Sequence, residues 1–320
     1  MNRVIIGVDG GGTKTVAVAA GMDGSILAVQ RGAGINYNNI GMDKARSTLR
    51  QVIDGLLEKC GRDYAEICVG MPALDMAADE ATTLAFAGDA FDPARLDLQS
   101  DAYTALQGFT LGKPGMIVIC GTGSILLLMD GKGAQHVHGG WGHLLGDPGS
   151  SHTLALSGLR AAIDAWEHVG PKTALTQAAQ AHFSLAHPRQ LIDRVYAPDC
   201  APDTIARFAK EVLLLAAEGD EQALRIVEMN MAHIAGQAAA LINEHPEAFR
   251  VGLYGGVFAH NPLARDLFRN SLVQHIPGAI VGFPEYPPEL GALIHSFQKR
   301  GLITDQLLSQ MKSSYAAIDG

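Results

Sequence analysis

The sequence is short of the features that define several large functional classes. Its four cysteines, Cys60, Cys68, Cys120 and Cys200, form no CxxC pair and follow no metal-ligand spacing. Neither a disulfide framework nor a zinc or iron–sulfur motif is therefore indicated. Basic residues are outnumbered, 24 Lys and Arg against 33 Asp and Glu for a net charge of −9, which argues against a non-specific nucleic-acid or anionic-membrane binder, since such a surface needs clustered cations. Long hydrophobic runs are missing too. The longest, 116–129, is interrupted by Gly121-Thr122-Gly123-Ser124 and falls short of the roughly 20 residues of a membrane span. The first, 4–8, is too short for a signal peptide and stops at Asp9, so a cytoplasmic protein with reduced thiols is expected. Glycine is in excess, with 37 in 320 residues against a usual share of about 7%. At 48% apolar and 18% charged, the chain reads as about two globular domains.

The glycines concentrate at turns. A β-branched run at 4–8 meets Asp9-Gly10-Gly11-Gly12-Thr13-Lys14-Thr15 and leaves as a second run at 16–20, and the pattern recurs at 116–120, 121–124 and 125–129. Each copy reads as two buried strands joined through a tight turn whose glycines permit positive φ and close backbone approach. Two copies a domain apart suggest two related halves. Between them helical periodicity at 43–59, 79–87 and 102–109 alternates with strands at 66–70 and 96–99. After the second copy come helices at 153–166, 173–182, 188–195, 204–218 and 221–245. A strand at 250–254, a break at Gly255-Gly256, a helix at 261–271, a strand at 279–283 and a helix at 290–300 complete an α/β pattern. The tail from Ser313 to Gly320 reads as frayed.

Turns of this kind expose several backbone N–H groups to one concavity and suit phosphate. In the first, Gly10, Gly11 and Gly12 supply amides, Thr13, Lys14 and Thr15 side-chain donors, and Asp9 a carboxylate for Mg²⁺ through water. In the second, Gly121, Thr122, Gly123 and Ser124 form a matching cradle, so that two turns can grip one nucleotide. An ordinary hairpin is the competing explanation for either turn alone, and neither is a Walker A loop. Asp101, between the strand at 96–99 and the helix that follows, is placed either as a general base or as a plain N-cap, a role open to Ser100 as well. Gly255 and Gly256 leave room for adenine or ribose, or simply make a strand-to-helix turn. His136, His138, His143 and His152 crowd one segment without the spacing of a standard zinc site.

The strings at 9–15, 100–102 (Ser-Asp-Ala), 120–124, 139–147 (Gly-Gly-Trp-Gly-His-Leu-Leu-Gly-Asp) and 254–257 resemble N-acetylglucosamine kinases. These belong to the BadF/BadG/BcrA/BcrD group of the actin-like ATPase, sugar kinase and Hsp70 superfamily. The resemblance covers nearly the whole chain, and the 139–147 string is its most specific part. It implies a two-domain actin-like (ribonuclease H-like) α/β fold with an interdomain cleft. The expected domains are 1–114 and 115–289, with a C-terminal helix at about 290–310 packing back on the first. It further implies ATP and Mg²⁺, Asp101 as catalytic base, and Asn36 and Asp147 on the sugar hydroxyls. Trp141 would be an apolar plate, with Thr122, Gly140 and Ser151 beside it. From residue type alone, Asn36 equally suits a loop, Trp141 a core and Asp147 a turn. The family usually has Glu after that Asp, whereas here Pro148-Gly149-Ser150-Ser151-His152 follows. A carboxylate is lost there, which bears on the preferred sugar.

The expected activity is therefore ATP-dependent phosphorylation of N-acetylglucosamine at the 6-hydroxyl, with glucosamine and N-acetylmuramic acid as competitors. An activator ATPase of an acyl-CoA dehydratase would need cysteines in a pattern these four do not form. A non-catalytic sugar-sensing regulator would usually carry a DNA-binding segment, and the chain opens on its first strand and is acidic. A small-molecule partner is expected, without nucleic acid or membrane, and a homodimer by family resemblance. The zinc motif of the related ROK sugar kinases is absent.

Overall fold

The computed structural model describes residues 3–61 and 63–319. The chain divides into two compact units, Met1–Ile117 with Phe283–Gly320, and Val118–Gly282.

The first unit opens with β1 (Val4–Gly10), β2 (Lys14–Ala20) and β3 (Ile26–Ala33), followed by a single turn, α1 (Tyr37–Ile40), and the long α2 (Met42–Cys60). β4 (Tyr64–Met71), α3 (Glu80–Ala87), β5 (Leu96–Ser100) and α4 (Asp101–Thr110) complete its first pass. The strands form one sheet in the order β3-β2-β1-β4-β5, antiparallel from β3 to β1 and parallel from β1 to β5. Val4, Ile5, Ile6 and Val8 of β1 are all buried because both faces of the sheet are covered. Val4, Ile6 and Val8 pack with Leu49 and Ile53 of α2. Ile5 turns the other way, toward the returning C-terminal segment. Each such side chain, fully buried, contributes roughly 1.5–3 kcal/mol.

The second unit holds the latter half of β6 (Gly115–Cys120), then β7 (Ser124–Met129) and β8 (Gln135–Gly139). The helices α5 (Ser151–Trp166), α6 (Leu175–His182), α7 (Leu191–Val195), α8 (Pro202–Ala206), α9 (Ala209–Ala217) and α10 (Glu221–Glu244) follow. β9 (Arg250–Tyr254), α11 (Gly256–Ala259), α12 (Pro262–His275) and β10 (Ile280–Gly282) close it. Its sheet runs β10-β9-β6-β7-β8, which read backwards is the strand order of the first unit. The two glycine turns thus occupy equivalent places in two related five-stranded sheets.

The chain then returns to the first unit as α13 (Pro288–Lys299) and α14 (Asp305–Asp319). Leu290, Leu293, Ile294 and Phe297 of α13 cover the sheet face that holds Ile5 and Val18. Contact is backbone to backbone: a Cβ on Gly7 would lie 2.2 Å from the Glu289 carbonyl oxygen, and one on Gly291 would lie 1.9 Å from that of Thr104. Glycine is required at both positions for α13 to lie flush on β1 and α4.

Several expectations need correction. The tail is a helix through Asp319, with Gly320 outside the described residues. Leu307, Leu308 and Met311 are buried against the sheet, and Ser314 Oγ accepts the Ile26 N–H at 2.8 Å. Its small polar residues hid an apolar face that only the sheet supplies a partner for. The segment 204–218 is two helices, because N–H groups at Phe208, Lys210 and Glu211 bond carbonyls three residues back, and this tighter winding puts Phe208 in the core. Two strands that the sequence did not single out, β3 and β8, are the third strands of their sheets. Among the described residues, no helix is long and apolar enough to cross a membrane.

Candidate active site

In the first unit the site forms where the parallel strands end. β1 and β4 place Asp9 opposite Gly70, β4 and β5 place Met71 opposite Ser100, and α4 starts at once with Asp101. This is the C-terminal edge of a sheet, where α/β proteins hold their ligands. Ser100 is the N-cap of α4, its side chain accepting the Tyr103 N–H, so Asp101 is left at the first helical position. The Asp101 carboxylate accepts the Ala102 N–H at 2.7 Å, yet burial outweighs this bond and raises its pKa. A raised carboxylate is a stronger base. Asp9 is pushed up to about 7, first by burial, then by the charges of Glu289 and Asp101, against the pull of Lys14.

Glu289 is the site residue that sequence reasoning missed. It is buried in the first turn of α13 after two prolines and accepts a hydrogen bond from the Tyr315 hydroxyl. An acidic residue in a first helical turn is so common for dipole reasons that nothing local distinguishes it. Glu289 and Asp101 both act on Asp9 as like charges, and carboxylate oxygens are the donors that a hard divalent cation such as Mg²⁺ takes.

The first glycine turn differs from expectation. Gly10, Gly11 and Gly12 do not take positive φ, nor do Gly121 and Gly123. Close approach is what Gly10 needs, since a Cβ there would meet Ile35 at 2.5 Å and the Gly70 carbonyl oxygen at 2.8 Å. Gly12 faces open space, with Thr13 and Lys14 exposed beside it. Thr15 is fully buried and gives its hydroxyl proton to the Ala33 carbonyl, 2.7 Å away, so it ties β2 to β3 instead of facing a phosphate. The Ile35 N–H bonds the Gly11 carbonyl and brings the Asn36 loop onto this turn. Asn36 caps α1 by accepting the Asn38 N–H, which leaves its amide donors to other uses.

In the second unit Gly121, Thr122 and Gly123 join β6 to β7, and the start of α5 docks on this turn. The Ser151 N–H donates to the Gly121 carbonyl at 2.8 Å and that of His152 to Thr122 at 3.3 Å. The Thr122 hydroxyl donates to Asp203 at 2.7 Å, and that of Ser124 to the Pro148 carbonyl at 2.8 Å. Gly255, at φ 94°, brings the turn after β9 against β6; a Cβ there would lie 2.3 Å from the Cys120 carbonyl oxygen. Gly256 faces open space and lines a cavity of about 680 Å³ with Ser151, Arg207, Lys210, Val257 and Asn261. That volume lies in the range of small-ligand pockets. Arg207 and Lys210 drew no attention in the sequence, where they are two cations on an ordinary helix.

The 139–147 loop is where left-handed backbone is used: Gly139, Gly140 and Gly142 all have φ between 71° and 79°, and Asp147 has φ 59°. Trp141 is 72% exposed, and Leu144 and Leu145 are more so. Asp147 turns inward. Its carboxylate accepts N–H bonds from Gly142 and Ser124, while burial, the larger effect, raises its pKa. Its Oδ1 is buried without a partner among the described residues. The four clustered histidines do not converge: His143 stacks edge-on with His152, whereas His136 faces Asp130 and His245.

Two sheets of one strand order, each ending in a glycine turn, with carboxylates at the strand ends, define an actin-like ATPase fold. The chain belongs to the BadF/BadG/BcrA/BcrD ATPase family, which it matches over residues 6–296. It is 29% identical to the N-acetyl-D-glucosamine kinase of Dictyostelium discoideum over 91% of this chain and 97% of that one. It is 28% identical to the N-acetylmuramic acid/N-acetylglucosamine kinase of Clostridium acetobutylicum over 71% and 75%. The solved structure of a Chromobacterium violaceum protein assigned as an N-acetylglucosamine kinase superposes with a TM-score of 0.74 at 27% identity, covering 92% of this chain and 98% of that one.

Proposed function

We propose that the protein is an ATP-dependent amino-sugar kinase that converts N-acetylglucosamine to its 6-phosphate. The observation that carries this reading is the half-buried Asp101 carboxylate at the head of α4, its pKa raised by burial and its charge felt by Asp9 together with that of Glu289. Asp101 takes the proton of the sugar 6-hydroxyl as its oxygen attacks the γ-phosphorus. The bond from γ-phosphorus to the bridging oxygen breaks and ADP leaves with that oxygen's electrons. Gly12 and Lys14 on one turn and Gly121 to Ser124 on the other bind the phosphates through amides and an ammonium. Gly255 and Gly256, at the Lys210-lined cavity, receive the nucleoside. Asp9, with Glu289 behind it, holds Mg²⁺ through water, and that ion when bound neutralises charge developing on the phosphates.

For the sugar, the unpartnered Asp147 Oδ1 is an acceptor for a hydroxyl, and the Asn36 amide is a donor. Trp141, Gly140, Thr122 and Ser151 are their neighbours in this reading, and a homodimer is its assembly. Because Pro148 stands where the family usually has Glu, glucosamine and N-acetylmuramic acid are the alternatives to separate. A coupled ADP-release assay with Mg·ATP across the three sugars and glucose tests the proposal. N-acetylglucosamine is expected to give the highest kcat/KM, and Asp101→Asn to lose roughly 10²- to 10⁴-fold in kcat. Absence of sugar-dependent turnover sinks the kinase reading; turnover undiminished in the variant sinks the base assignment alone.

A further inference from the structure

The β7–β8 turn carries a second cluster of ligating side chains. β7 and β8 pair from Ile125 opposite Gly139 at one end to Met129 opposite Gln135 at the other. Ser124 and Asp147 belong to the first end; Asp130 and His136 flank the second. His136 Nε2 lies 3.2 Å from Asp130 Oδ2, and the ring of His245, just past α10, lies over that of His136 at 3.8 Å between centroids. One ligand atom from each of the three lies within 4.8 Å of the others.

Local bonds hold these groups in place. Asp130 Oδ1 accepts the Lys132 and Ala134 N–H groups and so leaves Oδ2 for another use. Glu247 accepts the Gly131 N–H at 2.9 Å, pinning the turn to the segment that bears His245. The Asp130–His136 pair explains one histidine; it gives no reason for a second imidazole stacked on the first.

We propose that Asp130, His136 and His245 form a site for a transition-metal dication of the zinc type, which staples the β7–β8 turn to the end of α10. Two imidazoles and a carboxylate are the donors such ions take, leaving a fourth position to water, whereas Mg²⁺ prefers all-oxygen sets. Tetrahedral ligands about 2.0–2.1 Å from one ion are about 3.4 Å apart. Loading therefore requires the two rings to fan apart by roughly an ångström, a small side-chain rotation at half-buried positions. The site is incomplete in sequence terms, because its third ligand comes from the far side of α5 to α10.

Metal-free protein is titrated with Zn²⁺ by calorimetry in excess Mg²⁺, and the bound zinc is counted by elemental analysis after buffer exchange. One equivalent is expected, with the thermal midpoint rising by roughly 5 °C at saturation. His136→Gln and His245→Gln should each weaken binding by more than about 100-fold, while His138→Gln, on the same strand, leaves it unchanged. A Co²⁺-loaded sample should show the visible d–d absorption of a tetrahedral site and lose it in His245→Gln. Failure to bind one equivalent, or binding undiminished in His245→Gln, overturns the proposal. Variants that fail to fold are recognised by circular dichroism, and the Co²⁺ spectrum of the wild-type protein then decides the question.

Discussion

Glu289 is, after burial itself, the strongest influence holding the Asp9 carboxyl at about 7. The two residues come from opposite ends of the chain, and α13 brings them together by lying flush on β1 at Gly7. An acid raised in this way costs stability as it ionises: in the metal-free protein the Asp9 contribution is expected to be lost as pH rises from about 4 to about 7, and an Asp9→Asn variant should lack that loss. Glu289→Gln keeps an acceptor for Tyr315 and removes the charge. In the metal-free protein the Asp9 midpoint should fall by about one unit, equivalent to about 1.4 kcal/mol. Carboxyl ¹³C NMR checks this, and an unmoved midpoint contradicts it.

Among the described residues Asp147 Oδ1 is buried without a hydrogen-bond partner, so the proposed part of Asp147 in sugar binding is separable from its part in the fold. Asn tolerates left-handed backbone well, and Asp147→Asn should therefore leave the fold intact. It should raise the KM for the sugar by about 10- to 100-fold, the worth of a hydrogen bond to a charged group, with the KM for ATP nearly unchanged. Equal effects on both constants would place Asp147 elsewhere in the reaction.

The glycines divide into two kinds that substitution can tell apart. Gly255→Ala meets the Cys120 carbonyl oxygen in a left-handed conformation and is expected to destabilise by about 2–4 kcal/mol. Gly12→Ala meets nothing and should leave the thermal midpoint within a degree or so of wild type. In the proposed cradle it obstructs the phosphate instead, so its KM for ATP should rise. Urea unfolding and steady-state kinetics on the two variants read both effects.

Away from the site, Asp97 links β5 to α13. Burial would raise its carboxyl, but hydrogen bonds from His295, Lys299 and Gln99 outweigh that and hold it well below the usual carboxylate range. A depressed acid stabilises the fold above its unfolded pKa, near 3.9, and that contribution is lost as pH falls below about 4. Asp97→Asn should cost roughly 3 kcal/mol at pH 7, with the difference from wild type closing as the pH drops toward 2. A difference independent of pH would show that packing, not charge, is lost.

Much of this was legible in order along the chain. Continuous apolar runs broken by glycine turns could only be strands covered on both faces, and the helical segments between them had nowhere to pack except on those faces. Asp9, Asp101 and Asp147 were marked by what surrounds them in sequence. Glu289 and His245 were not, since an acid in a first helical turn and a histidine past a helix end are ordinary wherever they occur. Thr15 misled for the converse reason: its place beside the turn suggested a phosphate donor, and the pairing of β2 with β3 gave its proton to Ala33.

Sequence by itself determined the α/β class, the duplicated strand–turn–strand unit and the family, because local periodicity and turn chemistry are carried by neighbouring residues. Tertiary structure decided what side chains far apart do to one another. It set the Asp9 carboxyl through Glu289, left Asp147 Oδ1 without a donor among the described residues, ordered the tail by offering it a sheet, and stacked His245 on His136. Each depends on burial and on distances of a few ångströms between groups whose separation along the chain carries no information about their separation in space.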